Sequence, residues 1–217
     1  MKKLIISLIC ILTFLNFSYT QIPDGIKNGG YLSFKSLINN IPDFNSDFVI
    51  KKRTKFDIAM VAGNDYKITS GSTNLNPTIK NDIWFIFSQD SLYINGKFVN
   101  GHSPYCKVEN NGKYLYFSAG IPKKNLYKKY GFKRSMIETN YVPIGGAIGG
   151  AVTGADLALA RFYYFLDTKS GEINLLTKES LLLLLSQETE LRDKFLNEKL
   201  SDYSSVQLKY LDKLSKR

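Results

Sequence analysis

The single histidine and the cysteine nearest to it are the first residues to weigh for catalysis. His102 and Cys106 stand four positions apart, with Pro104 between them. A cysteine nucleophile needs a base within reach and a third group that orients the base, and the proline and the short spacing work against such a pair. A cysteine in a strand pattern is more typically a small core residue. We therefore predict no catalytic role for either side chain.

The chain also has few of the residue types that bind metals or metal clusters. One histidine and two cysteines do not supply the ligand sets of zinc or iron–sulfur centres, so we predict no metal and no cofactor. No Gly-x-Ser-x-Gly elbow surrounds any serine. A hydrolase with two carboxylates that converge only in the folded chain is an alternative, and its two groups would stand about 5–10 Å apart.

A basic and aromatic segment is a candidate binding surface. Residues 123–134 carry six positive charges and no acid. Lysines interleaved with aromatic rings suit an anionic membrane surface, a lipopolysaccharide or a nucleic acid, whereas most charge runs are simply solvated. The surface-binding residues of this hypothesis are Lys123, Lys124, Tyr127, Lys128, Lys129, Tyr130, Phe132, Lys133 and Arg134.

A glycine run lies within the apolar residues 141–160. Its glycines recur every four positions, which on a helix gives a flat stripe for close backbone approach. The span is about as long as a membrane crossing, but each glycine disfavours helix by about 1 kcal/mol relative to alanine. Packing within the chain is the favoured interpretation, with membrane contact or self-association as the alternative. The close-packing glycines are Gly145, Gly146, Gly149, Gly150 and Gly154.

The elements that would position these residues begin with a short helix and a series of strands. Ser33 is expected to cap a helix over residues 34–40. Residues 48–117 then form short β-like runs separated by turn residues, which predicts an antiparallel meander. Residues 57–62 are one of these predicted strands. Asn95-Gly96 predicts a tight hairpin into a strand at 97–99, and Asn111-Gly112 repeats the pattern before residues 113–117.

The C-terminal part predicts a hairpin and then helices. Thr177 is expected to cap a helix whose five consecutive leucines would be buried on all sides, and helical patterns follow at 188–200 and 205–214. We expect an α+β fold, with an antiparallel sheet, a Gly-rich apolar segment, and C-terminal helices packed on the sheet. The expected single domain, residues 21–217, comprises a β-rich part (48–117), the Gly-rich segment (141–160), a β-hairpin (161–176) and a helical tail (177–217).

The N-terminus has the pattern of a secretory signal peptide. A positive start and an apolar run of about a dozen residues lead to a small-residue cut site before Gln21. Cleavage would remove residues 1–20 and leave Cys106 as the sole thiol. Lipidation of Cys10 is not expected, because the large Ile9 precedes it. We predict an exported protein that is periplasmic or associated with the outer envelope.

The charge of the mature chain indicates which classes of partner it could bind. Without residues 1–20 it has 27 basic and 19 acidic residues, a net charge of +8, and only five of the basic residues are arginine. Surfaces that read bases depend on the planar guanidinium fork. Attraction to an anionic surface explains a lysine-rich excess better than specific nucleic-acid binding does.

A loose resemblance covers most of the mature chain. Residues 162–167, 171–173 and 176–181, together with Gly30-Tyr31 and the glycine run at 145–154, resemble exported proteins of unknown function that are common in Bacteroidota. The resemblance implies export from a Gram-negative cell, and it brings no catalytic residues with it.

These observations favour a non-enzymatic envelope domain with a binding or structural role. Its partner would be an anionic envelope surface or another envelope protein. Two alternatives stay open: the hydrolase with converging carboxylates, and a glycine-zipper protein that associates with itself at a membrane.

Overall fold

The chain combines strands and helices in an α+β fold with antiparallel sheets, as the sequence predicts. The computed structural model describes residues 25–110, 112–123 and 154–217. Within these ranges the strands are β1 (Gly29–Tyr31), β2 (Phe48–Lys52), β3 (Tyr66–Ser70), β4 (Phe85–Ser88), β5 (Ser91–Asn95), β6 (Tyr105–Lys107), β7 (Tyr114–Ala119), β8 (Phe162–Asp167) and β9 (Ile173–Leu175). The α-helices are α1 (Phe34–Ile38), α2 (Lys55–Val61), α3 (Asn76–Asn81), α4 (Gly96–Val99), α5 (Gly154–Leu159), α6 (Lys178–Leu184), α7 (Thr189–Leu196) and α8 (Ser204–Ser215).

The described strands form two antiparallel sheets. The first, sheet A, has the order β1-β4-β5-β6-β3-β2, and the second, sheet B, has the order β7-β8-β9. Strands β2 and β3 form an antiparallel pair whose connection contains α2, and this pair is called the β2–β3 hairpin below. It joins the β4–β5–β6 meander through β3, so sheet A is antiparallel throughout without following the order of the chain. Strand β2 is an edge strand, and helix α2 follows it immediately.

The two sheets and the helices pack together through three apolar clusters. Phe85 of sheet A and Phe117 of sheet B belong to one buried cluster between the sheets. The other face of sheet A, with Ile86, packs with α3. The other face of sheet B packs under the C-terminal helices. Strand β8 is buried on both faces, with Tyr164 in the first cluster and Phe165 in the third.

Local capping accounts for the helices whose starts are confirmed. Ser33 and Ser36 form a reciprocal capping box at α1, and Thr177 and Ser180 form one at α6. Each cap satisfies backbone N–H groups that a helix leaves without partners at its start. The predicted hairpin of β8 and β9 and the helices α7 and α8 are also present, and the C-terminal helices pack on sheet B.

Two predicted strands are wrong, because a cap turns each of them into a helix. Residues 57–61 belong to α2, with Ala62 as its C-cap, and Thr54 and Asp57 form a capping box at its start. Residues 97–99 belong to α4, and Asn95 caps it by accepting a hydrogen bond from the Lys97 N–H. The β4–β5 hairpin turns instead at Gln89 and Asp90, both with positive φ.

The leucine-rich helix α6 is also less buried than predicted. Leu181 is fully buried, whereas Leu183 is 76% exposed. One face of α6 packs on sheet B while the opposite face meets solvent. Residue Asn111 of the second predicted hairpin lies outside the described residues, and a β-bridge between Val108 and Phe117 joins the chain on either side of it.

Candidate anion-binding cleft

An open cleft lies beside the β2–β3 hairpin at the edge of sheet A. Its volume is about 390 Å³. The end of α2 forms one wall, and the loop at residues 103–104 forms another. The basic side chains of Lys51, Arg53 and Lys67 line it together with one acid, Asp57, which gives these side chains a formal charge of +2. The cleft is therefore suited to a negatively charged group.

Lys51 and Lys67 face each other across the hairpin. They are register partners in the antiparallel β2–β3 pair, and such partners leave the same face of a sheet with β-carbons about 4.5–5.5 Å apart. Both are exposed, on the face opposite to the buried Phe48 and Ile68. Like charges in directly opposed positions destabilise a sheet. The hairpin thus places two like charges at opposed positions on one face, where an anion bound between them would reduce their repulsion.

Arg53 is fixed in place by backbone groups. Its Nη1 donates to the carbonyl oxygens of Ala62 and Asn64 at 2.7 and 2.9 Å, and its Nη2 donates to that of Asp57 at 2.9 Å. Burial lowers the pKa of Arg53 from its ordinary value, but a guanidinium stays charged at any physiological pH. Arg53 therefore supplies a fixed positive charge and joins β2 to both ends of α2.

Asp57 is the carboxylate in the cleft, and its oxygen already serves the helix cap. Its Oδ2 accepts from the Thr54 N–H at 3.0 Å and from the Thr54 hydroxyl at 2.8 Å. These two bonds hold the pKa of Asp57 below its ordinary value, and the charges of Lys51 and Arg53 lower it further. Asp57 thus stays ionised at neutral pH, yet it offsets only one of the three cations.

The loop wall of the cleft is anchored by the buried amide of Asn64. Its Nδ2 donates to the carbonyl oxygens of His102 at 2.6 Å and Pro104 at 3.1 Å. Its Oδ1 accepts from the Gly120 N–H at 2.9 Å and from the Asn100 amide at 3.1 Å. A buried amide with its donors and acceptors satisfied holds its surroundings rigidly. The cleft is therefore a preformed feature.

Glycine is required at two positions around Asn64. Gly63 has φ +86°, and a β-carbon there would collide with the carbonyl oxygen of Ser103. A β-carbon at Gly96 would collide with the Nδ2 of Asn64 and with the carbonyl oxygen of His102. The backbones of the α2–β3 turn and of residues 102–103 approach too closely for any side chain to stand between them.

A buried ion pair lies behind the turn that forms the cleft. Arg161 is fully buried, and its Nε and Nη2 donate to one carboxylate oxygen of Asp65 at 2.8 and 2.6 Å. The same guanidinium also donates to the carbonyl oxygens of Gly63, Ala158 and Ala160. The pair therefore ties the α2–β3 turn to the segment between α5 and β8, which leads into sheet B.

Cys106 and His102 lie in surroundings that do not favour catalysis. Cys106 is buried in β6 within the cluster between the sheets, and burial raises the pKa of its thiol well above the ordinary value. A buried, protonated thiol is a poor nucleophile. His102 is exposed and borders a small cavity of about 180 Å³. Its backbone N–H and carbonyl bind the amides of Asn100 and Asn64.

Most of the predicted surface and glycine residues lie outside the described residues. Of the basic segment, the structure describes Lys123, which is exposed and whose aliphatic carbons lie about 3.5 Å from where a β-carbon of Gly101 would stand. Of the glycine run, it describes Gly154, the first residue of α5, a helix that packs against α2. The chain thus leaves the described part beside the 101–104 loop and returns beside α2. The remaining residues of both predictions stay untested: Lys124, Tyr127, Lys128, Lys129, Tyr130, Phe132, Lys133, Arg134, Gly145, Gly146, Gly149 and Gly150.

A second cleft has two carboxylates among its lining residues, and it bears on the hydrolase alternative. Asp90 and Glu109 line this opening of about 390 Å³ at the β4–β5 turn, together with Lys107. Both acids are exposed. A general acid at neutral pH needs burial or a close like charge that raises its pKa, and exposure works against that. The cleft therefore does not favour a hydrolase.

No sequence pattern described above predicts the cationic cleft, although most of its basic residues are close together in the sequence. Lys51, Lys52, Arg53 and Lys55 occupy four of five consecutive positions. Residue Lys67 joins them only through the register of β2 with β3, which no local pattern specifies. A Thr54-x-x-Asp57 capping box was the available local clue that a helix follows the strand and closes the cleft.

Comparison with known proteins gives a family without an assigned activity. A family of unknown function, DUF6563, matches residues 29–217. No curated protein and no solved structure matches the chain. Within the described ranges, no helix has the length and apolar character to cross a membrane, and no three His, Cys, Asp or Glu side chains are grouped as metal ligands.

Proposed function

We propose that this chain, which belongs to the DUF6563 family of unknown function, is an exported, non-enzymatic binding domain of the cell envelope. Its cationic cleft takes a phosphate or carboxylate group of the ligand. The observation that carries the proposal is the opposition of Lys51 and Lys67 beside the fixed guanidinium of Arg53. Export is supported by the signal-peptide pattern of residues 1–20.

The arrangement supports binding because it offers donors that the fold has not consumed. Among the described residues, neither Lys51 nor Lys67 has an ion-pair or hydrogen-bond partner, so their ammonium groups are open to an anion between them. Phosphate and carboxylate bind strongly to such charged donors, because charge-assisted hydrogen bonds are about twice as strong as neutral ones. A ligand placed there would also relieve the cross-strand repulsion, which adds to its apparent affinity.

The surroundings favour a binding role over catalysis. A nucleophile or general acid would need to touch the bound group, and the acid in the cleft, Asp57, is committed to the cap of α2 with its pKa lowered. The thiol of Cys106 is buried away from the surface. The cleft thus supplies charge and shape for holding an anion, which suits recognition of a ligand.

Titration of the purified protein with inorganic phosphate tests the binding claim. We expect binding at low salt that weakens with ionic strength. The double variant Lys51→Gln/Lys67→Gln should lose at least about tenfold in affinity, since each charge-assisted bond is worth more than 1 kcal/mol. The matched control, Lys35→Gln/Lys199→Gln, removes the same charge at exposed positions elsewhere and should bind as wild type does. Equal losses in the two variants, or no binding by the wild type, would contradict the proposal.

Localisation is tested on the protein in its native host. Intact-mass measurement should give a chain that starts at Gln21 without lipid, recovered from the envelope or the medium. A chain that retains residues 1–20, or that carries lipid at Cys10, would contradict the export scheme.

A further inference from the structure

Helix α2 exposes an unusual amount of apolar surface. Phe56, Met60 and Val61 are 73%, 69% and 78% exposed, and the buried apolar anchor of this seven-residue helix is Ile58. Phe56 and Met60 are four positions apart and therefore lie together on one face. A single exposed apolar residue needs no explanation, but a contiguous group on a soluble domain marks a surface of interaction.

The apolar face adjoins the cationic cleft. Val61 lines the cleft and is also one of the three exposed apolar residues. Asp57, on the same side of the helix one turn earlier, lines the cleft as well. With successive residues 100° apart, Phe56 and Met60 are neighbours on one side of the helix, and Asp57 stands between the directions of Met60 and Val61. One helix therefore presents an anion-binding wall and an apolar face side by side.

Basic residues border this face on the strand that precedes it. Lys51 is exposed near the end of β2 and lines the cleft together with Val61, and Lys55 is exposed at the first position of α2. Long lysine stems lie along apolar surface while their ammonium groups reach water or anions. Phe56 and Met60 thus form an apolar and aromatic centre, with Lys51 and Lys55 near it and with Asp57 on the side of the cleft. Apolar side chains bordered by cations are typical of a surface that inserts at a membrane interface.

We propose that α2 docks on an anionic phospholipid bilayer, with the phosphate of a lipid headgroup in the cationic cleft and with Phe56, Met60 and Val61 in the interfacial layer beneath it. This inference rests on the proposed function, since it names the source of the anion. An anionic lipid joins a phosphate to an apolar chain in one molecule, as the cleft and the face adjoin on one helix. Anionic headgroups attract cationic residues near the surface, and the attraction falls with salt.

Two other occupants of the face have to be distinguished from a bilayer. A second copy of the chain in a symmetric dimer would bring the same cationic border against itself, which is repulsive. Residues 124–153 of this chain lead into α5, which packs against α2; the border would repel their lysine-rich part, whereas residues 141–153 carry no charge. Both occupants are outcomes of the test below.

Vesicle co-sedimentation provides the test. Purified protein is mixed with vesicles of phosphatidylglycerol in phosphatidylcholine, or with vesicles of phosphatidylcholine alone, at low and high salt. We expect binding to the anionic vesicles that weakens with salt, and little binding to the neutral ones. Phe56→Ser/Met60→Ser should lower vesicle affinity by about tenfold or more, because two apolar side chains no longer leave water. Its phosphate affinity and thermal unfolding should stay at wild-type values.

The matched control changes apolar residues that are exposed elsewhere. Leu183→Ser/Leu200→Ser removes side chains that are 76% and 55% exposed in the C-terminal part, and its vesicle binding should equal that of wild type. A second variant reports insertion directly. In Phe56→Trp/Trp84→Phe, which keeps one tryptophan, the fluorescence should shift to shorter wavelength with anionic vesicles and not with free phosphate.

The outcomes separate this inference from the proposed function. Phosphate binding without vesicle binding overturns the inference and leaves the proposed function in place, whereas loss of both overturns both. A lower unfolding temperature in Phe56→Ser/Met60→Ser would show that the chain covers this face itself, and a molecular mass that rises with protein concentration would show that a second copy does. Vesicle binding that is lost only on changing Lys123, Lys124, Lys128 and Lys129 to glutamine would place the contact in the basic segment and overturn α2 as the anchor.

Discussion

Two regions of the molecule differ in how their charged side chains are paired. One is the cationic corner, formed by β2, α2 and β3, and the other is the helical tail, residues 177–217. In the tail, lysines and arginines find acids within the fold: Lys194 binds Glu190 at 2.6 Å, Lys209 binds Glu198 at 2.8 Å, and Arg217 binds Glu188 at 2.6 Å. Five of the six ion pairs between described residues belong to this region.

At the corner the balance is reversed. Lys51 and Lys67 oppose each other, Arg53 lies beside them, and the acid among them is held by a helix cap. The same contrast appears in the apolar residues, since the tail buries Leu191, Phe195 and Leu211 while α2 leaves its apolar face in solvent. The tail thus pairs its charges and buries its apolar side chains within the fold, whereas the corner leaves both kinds of group at the surface.

The largest expected effect concerns the ion pair that joins the corner to the rest of the chain. Arg161→Met leaves the carboxylate of Asp65 and several buried carbonyl groups without their guanidinium donor. Removing one partner of a buried pair costs about 3–5 kcal/mol, so the free energy of unfolding in urea should fall by that amount. Adding Asp65→Asn should recover part of the loss.

A surface pair in the tail is the control for this prediction. Arg217 and Glu188 are partly exposed, and exposed pairs contribute about 0–1 kcal/mol. Arg217→Met should therefore unfold near the wild-type midpoint. Similar losses in the two arginine variants would contradict the distinction between the buried junction and the solvated tail.

The next effect comes from the close backbone approach at the cleft. Gly63→Ala places a methyl group against the Ser103 carbonyl at a φ of +86°, and such strain costs about 1–3 kcal/mol. The change should also weaken phosphate binding, because it displaces the loop wall. Gly71→Ala, where a β-carbon meets open space, should leave phosphate binding unchanged. A stable Gly63→Ala protein with wild-type binding would show that the wall is not rigid.

The repulsion between Lys51 and Lys67 predicts a small effect of opposite sign. Lys67→Gln should raise the free energy of unfolding by a few tenths of a kcal/mol, about the scale of a cross-strand pair, while it weakens phosphate binding. Thermal unfolding without phosphate measures the first effect, and titration measures the second. A variant less stable than wild type would mean that the fold itself uses the charge of Lys67.

The pH dependence of the corner gives the smallest effect. The bonds from Thr54 hold the pKa of Asp57 below its ordinary value of 3.8. A carboxylate whose pKa is lower in the folded than in the unfolded state stabilises the fold above the unfolded value, and this contribution is lost as the pH falls through the folded value. Carboxyl NMR should show Asp57 titrating below 3.8, and Thr54→Val should move its pKa upward. Titration at the ordinary value would contradict the cap geometry.

The comparison of the two regions also explains which features the sequence predicts. The caps at Ser33 and Thr177 and the turn between β8 and β9 depend on residues a few positions apart, so local patterns identify them. The hairpin predicted at Asn95-Gly96 is wrong because the side chain of Asn95 is buried. Its Nδ2 donates to the carbonyl oxygen of Ile83, and only the folded chain creates this contact. The secondary structure of the tail can therefore be predicted largely from its sequence.

The corner depends on contacts between distant parts of the chain. Lys67 reaches Lys51 through strand register, and Asn64 anchors the loop near Pro104 across some forty residues. Such pairings are selected by packing, and a single sequence does not reveal them. The surface residues from Lys124 to Arg134 and the glycines from Gly145 to Gly150 stay predictions, since they lie outside the described part of the chain.

Mapping of the phosphate site by NMR tests the central claim most directly. In a titration of the isotope-labelled protein with inorganic phosphate, the account predicts that the largest amide shifts fall on β2, on β3 and at the end of α2, and that they vanish in Lys51→Gln/Lys67→Gln. Shifts of equal size over the lysines of the helical tail, or no shifts at low salt, would contradict the assignment of the cationic corner as a binding site.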